Sequence, residues 1–141
     1  MKVQILGAHG LESDRARFVS LLVDGVLALD TGALASNLSL PAQEKIKAVL
    51  LTHSHVANSM GLASLSMHAF LFGAAVEVYA IKDTIDAILA HIFNGVIHPN
   101  FTRMPTMEKP TLDFTRWRYA NRKLLKAIPS SPFLSPTPFL L

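Results

Sequence analysis

At 141 residues the chain has the length of one domain and can bury a sizeable core. Half of it is hydrophobic and 16% is charged, against about 25% in typical soluble domains, yet no apolar run reaches the roughly 18 residues of a membrane span. The absence of cysteine excludes disulfides, thiolate ligands and a cysteine nucleophile, so any metal must be held by histidine and carboxylate. The net charge is +3, with basic residues gathered at Arg116, Arg118, Arg122, Lys123 and Lys126. No RNA-binding signature surrounds that cluster, so it reads as a solvated strand and turn rather than a nucleic-acid surface. The opening MKVQILGAHG has too short an apolar run for a signal peptide, and a cytoplasmic chain with no membrane partner is expected.

In chain order, residues 2–6 alternate apolar and polar up to Gly7, the pattern of a short strand, and a polar loop follows. Residues 18–23 and 26–29 are apolar runs split by Asp24-Gly25, a strong hairpin signal, and the second ends in the turn Asp30-Thr31-Gly32. Residues 48–51 predict a buried strand leading into Thr52-His53. The pattern over 61–72 predicts a largely buried helix stopped by Gly73, and 76–81 a β-branched strand. In 82–93, Ile85, Ile88, Leu89 and Ile92 mark one helix face, ended by Asn94-Gly95. Residues 99–115 are broken by prolines and read as irregular, with one or two strands expected in 117–128. The tail, with four prolines in residues 129–141, excludes a regular central strand. This order indicates a layered α/β or α+β domain.

The stretch LLTHSHVANSMGL (50–62) carries the candidate chemistry. Along extended backbone, positions i and i+2 point the same way, so His53 and His55 can converge on one ion. Two ligands are fewer than the three protein ligands of a catalytic zinc or the four of a structural one. His9 reads as a solvated loop residue, His68 as a hydrogen-bonded core or boundary residue, and His91 lies on the second helix. Ser54 beside the two histidines lacks a placed acid, which argues against a catalytic triad.

These residues resemble the signature of the metallo-β-lactamase superfamily: an apolar strand, Thr-His-x-His-x-Asp-His, then Gly-Leu. Thr52, His53, His55, Gly61 and Leu62 stand at matching positions. Residues 18–29 with Asp30-Thr31-Gly32 look like the family's paired strands ending in Asp-x-Gly, and Ile5-Leu6-Gly7 like its opening strand. AHIFNGVIHPNFT (90–102) and LKAIPSS (125–131) resemble segments of the class II cyclic-nucleotide phosphodiesterases within it; the position of His98 is often aromatic there, so it reads as packing. The resemblance implies an α+β, metallo-β-lactamase-like αββα sandwich. Residues 1–141 would form a single domain holding its first half and the start of the second, truncated at the C-terminus. It implies zinc-dependent hydrolysis, with manganese as the other candidate ion, and a cyclic nucleotide or other phosphodiester as ligand.

Carried over residue by residue, the resemblance is incomplete. In the family the His-x-His pair and a later histidine hold one ion. The motif's Asp-His and a last histidine hold the other, and an aspartate bridges them. His53 and His55 match the first pair, while Ala57 and Asn58 replace the Asp-His. The later histidine would fall near Pro132, and no histidine follows His98. The expected site is therefore a weak, partial metal site at His53 and His55, with zinc at partial or no occupancy. Asp30, Thr52 and Gly61 give it structural support, and no catalytic residue is assigned. Two functions follow: an impaired phosphodiesterase-like hydrolase, or a non-catalytic binding or scaffold protein. A half-sandwich would also leave an apolar sheet face bare, so a homo-oligomer or a partner chain is expected.

Overall fold

The Asp24-Gly25 turn sets the register of the first strands. Asp24 and Gly25 adopt φ of 50° and 75°, the two consecutive positive values of a type I′ turn, and the Val26 N–H closes it on the Val23 carbonyl at 3.1 Å. In the computed structural model, which describes residues 1–117, this turn joins β2 (Ser20–Val23) to β3 (Leu27–Leu29). With β1 (Val3–Gly7) they form an antiparallel unit. From β3 onward the sheet is parallel through β4 (Ala48–Leu50), β5 (Val76–Ala80) and β6 (Leu112–Arg116), in the spatial order β1-β2-β3-β4-β5-β6.

The parallel strands are joined by crossovers containing α1 (Leu34–Asn37), α2 (Leu40–Gln43), α3 (Val56–Ser59), α4 (Gly61–Leu71) and α5 (Lys82–His91). Alternation along the strands separates two faces. Ala28, Val49, Val76, Val78 and Leu112 pack with Leu34, Leu62, Leu65 and Ile88 from the helices in one core. Val23, Leu27, Ala48 and Tyr79 form a second cluster on the other face, with Leu29, Leu50 and Trp117 against it. The pairing register places Val3 and Ile5 on this second face too, opposite Val23 and Leu21, and both are exposed.

The strands and the two long helices fall within a residue or two of the spans read from sequence, and Gly73 (φ 66°) stops α4. Two readings are corrected. Residues 99–115 are not irregular throughout, because β6 occupies Leu112–Arg116. Pro110 precedes the strand and removes no ladder donor, and buried Leu112 next to exposed Asp113 carries the period of two that the earlier prolines obscure. The one-turn helices α1, α2 and α3 went unpredicted, since four residues are too few to show a 3.6-residue period. The expectations for 118–128, for LKAIPSS, for Arg118, Arg122, Lys123 and Lys126, and for the proline-rich tail lie outside the described residues. Among the described residues, no helix is long and apolar enough to cross a membrane.

Tyr79 is fully buried on β5, and its hydroxyl donates to the Glu77 carboxylate on the same face. Burial, then the Glu77 hydrogen bond and charge, push the phenol pKa well above its ordinary 10.0. The unfolded chain ionises at the ordinary value while the folded chain stays neutral. Stability from this group is therefore complete below pH 10.0 and declines as the pH rises above it. Urea midpoints measured from about pH 8 to about pH 11 should fall above pH 10, and the fall should be shallower in Tyr79→Phe.

Candidate metal centre

The site forms where two neighbouring parallel strands end. At the end of β3, Asp30 turns into the left-handed region (φ 55°), which a short polar side chain tolerates. Its N–H donates to the Leu50 carbonyl at 2.9 Å, tying the end of β3 to the end of β4. Thr31 then donates from its N–H (2.6 Å) and its hydroxyl (3.2 Å) to the Asn58 carbonyl. The contact between the two loops is close enough to require glycine. A Cβ on Gly61 would lie 1.8 Å from the Thr31 carbonyl oxygen, and one on Gly32 would lie 1.9 Å from that of Ala57.

Asp30 is 4% exposed, and its carboxylate is satisfied from the histidine loop. Oδ1 accepts the Thr52 N–H at 2.8 Å. The Thr52 hydroxyl donates to Oδ2 at 2.8 Å, and the Asn58 amide Nδ2 donates to the same oxygen at 2.8 Å. Proton counting then sets the direction of the Thr52–His53 hydrogen bond. The single hydroxyl proton of Thr52 goes to the carboxylate, so toward His53 Nδ1, 2.9 Å away, the hydroxyl can only accept. His53 therefore donates from Nδ1, which in the neutral imidazole leaves the Nε2 lone pair for a ligand. This is the kind of outer hydrogen bond that orients metal-binding histidines.

His53 and His55 are both exposed, with ring centroids 4.6 Å apart and nearly perpendicular. His55 precedes α3, and its carbonyl accepts the Asn58 and Ser59 N–H groups, while its ring makes no capping bond. The Ser59 hydroxyl lies 3.0 Å from both the Ser54 and the His55 carbonyls, bracing the loop from behind. The pair offers an ion at most two imidazole donors. Among the described residues no group of three or more histidine or acidic side chains is placed to hold a metal. Ala57 offers no donor atom, and Asn58 is buried with its amide committed to Asp30.

The remaining histidines lie elsewhere. His9 pairs through its backbone with Phe18 in the first loop, and His91 is exposed on α5. His98 packs between Phe93 and Phe101. His68 is buried on α4 against Phe72, but its Nε2 makes no hydrogen bond among the described residues and instead faces Glu44 at 3.6 Å. The expectation of a hydrogen-bonded His68 is corrected to that extent.

No protein-family model matches the sequence, and no curated protein sequence matches it. Solved structures do. Unliganded yeast PDE1 superposes with a TM-score of 0.66 at 16% identity, covering 82% of this chain and 50% of that one. The metallo-β-lactamase fold protein YhfI from Bacillus subtilis gives 0.58 at 15% identity, over 82% and 45%. The chain has the metallo-β-lactamase fold. Human tRNase Z, short form, is also similar, with a TM-score of 0.55 at 18% identity, over 82% of this chain and 44% of that one. The chain thus spans half or less of the length of these structures. Within this metallo-β-lactamase fold, Asn58 and Ser59 contribute more to the loop than their sequence positions suggested. The available signal was two polar residues on the inner side of an otherwise apolar turn.

The direction of the Thr52–His53 hydrogen bond can be tested without metal. Long-range proton–nitrogen NMR should find His53 with its proton on Nδ1, and Thr52→Val should abolish that preference. Any divalent ion that His53 binds should be held about 10- to 100-fold more weakly in the same variant, measured by competition with a chromogenic chelator.

Proposed function

We propose that this chain is a phosphodiesterase-like homologue of the metallo-β-lactamase-fold hydrolases. His53 and His55 form a weak, partial site for one divalent ion, zinc or manganese, and the chain's hydrolytic chemistry is impaired. One observation carries this reading: the Asp30–Thr52–His53 hydrogen-bond chain presents the His53 Nε2 lone pair beside His55, while positions 57 and 58 provide no second set of donors. The shared fold with yeast PDE1 and the likeness of residues 90–102 to phosphodiesterases support a cyclic nucleotide or similar phosphodiester as the ligand.

A divalent ion bound there would supply Lewis-acid polarisation of a phosphoryl oxygen and would acidify bound water. The chain's own residues supply less. His53 and His55 donate lone pairs, and Thr52 and Asp30 hold the first imidazole in its ligating tautomer. At the position where an acid would orient water or take its proton, the methyl group of Ala57 does neither. Turnover by this chain is accordingly slow or absent.

The alternative is a non-catalytic binding or scaffold protein, and the Asn58–Asp30 bond favours it, since it turns a former ligand position into a structural brace. A cytoplasmic location and association with a second copy or a partner chain belong to the same proposal. Val3 and Ile5, 50% and 69% exposed on the apolar second sheet face, support that association.

Metal analysis of the purified protein should give a measurable zinc or manganese content, up to one ion per chain, that is lost in His53→Ala. The double variant Ala57→Asp, Asn58→His should raise both metal content and phosphodiester hydrolysis. A metal-free wild type would overturn the metal site, and rapid hydrolysis by the wild type would overturn the impairment. Sedimentation at micromolar concentration should show association, and Ile5→Lys should weaken it; a wild-type monomer would count against the partner reading.

A further inference from the structure

Behind the histidine loop lies an open cavity of about 500 Å³, lined by α3, α4, α5 and the segment that follows α5. It is separate from the metal-facing side. Ser54 and Val56 line it, whereas His53 and His55 do not.

Four properties of this cavity point to a ligand. Its volume lies within the roughly 300–1,000 Å³ of small-molecule pockets, and it is concave, unlike a flat protein-docking face. Its lining includes no lysine, arginine, aspartate or glutamate, and His91 and His98 are its only titratable side chains, so a charged occupant would lose its hydration with no fixed counter-charge in return. Apolar side chains remain in water around it, with Val56 54%, Met60 48% and Ile97 71% exposed. Polar groups are few. The Ser59 hydroxyl already points its proton at the Ser54 and His55 carbonyls and can only accept from an occupant. His98, which also lines the cavity, has a buried Nδ1 with no partner among the described residues.

We propose that this cavity is a binding site for a neutral, largely apolar small molecule bearing one or two hydrogen-bonding groups. The occupant contacts Ser54, Val56 and Ser59, which flank and brace His55, so binding is read out at the histidine loop. The site stands independently of the proposed hydrolase function, because none of its walls is a metal ligand.

The test uses the full chain without metal and the neutral fluorophore Nile red as probe. Saturable binding of one dye per chain is expected, with the His55 imidazole NMR signals shifting at the same midpoint. Ala63→Phe on α4 and Ala87→Phe on α5 each fill the cavity from a different wall and should weaken binding by at least about tenfold. Leu71→Ser, exposed and outside the cavity, should leave binding unchanged. Circular dichroism and melting curves establish that the variants are folded. The proposal fails if wild type shows no saturable binding, or if both folded phenylalanine variants bind the dye as wild type does. It also fails if the phenylalanine variants abolish a concentration-dependent dimer without changing dye affinity, since the occupant would then be a second copy. Because metal is absent throughout, these outcomes are separate from whether His53 and His55 hold an ion.

Discussion

The buried carboxylate of Asp30 is the constraint around which this structure is arranged. It closes β3, lies 4% exposed, and draws its compensation from the loop that follows β4. A buried carboxyl group in that position is tolerable only if donors reach it, and a backbone N–H, a hydroxyl and a side-chain amide do so. Satisfying Asp30 therefore fixes the histidine loop. Thr52 is bound through both N–H and hydroxyl, His53 takes its tautomer from that hydroxyl, and Asn58 is drawn inward. The glycines at 32 and 61 belong to the same constraint, because the loops must approach closely enough that a Cβ would collide with backbone.

The sheet explains why the loops meet at all. Two neighbouring parallel strands end side by side, and in open sheets the space beyond the carboxyl ends of parallel strands is where ligands are held. The antiparallel hairpin at one edge contributes no side chain to the histidine pair. It positions β3, and with β3 it carries Asp30 to the required depth. The helices pack on one face in a continuous core, while the second face has its own apolar cluster and its most exposed members on β1. The two faces thus differ in kind, one sealed by the chain's own helices and the other still apolar at its edge.

Much of this was legible from residues. The Asp24-Gly25 turn, the alternation of the strands and the helical spacing of Ile85, Ile88, Leu89 and Ile92 are local signals, and each appears close to where it was read. β6 was obscured because the prolines at 99, 105 and 110 suggested irregularity, while the strand begins just beyond the last of them. The single-turn helices lacked the length to display a period. In the loop, the side-by-side placement of His53 and His55 follows from their spacing, and the pairing of Asn58 with Asp30 does not. Twenty-eight residues separate those two, and no local pattern connects them.

By itself, the sequence determined the donor set and its limits. Without cysteine only imidazole, carboxylate and weaker oxygens are available, two histidines stand in register, and alanine at 57 cannot bind or activate anything. These are properties of side-chain chemistry and hold in any fold. The tertiary structure decided the hydrogen bond that orients His53, the commitment of Asn58 to a brace, and the cavity behind the loop. Each of these depends on groups distant in sequence being brought within hydrogen-bonding or packing distance, which only the folded sheet and its helices accomplish.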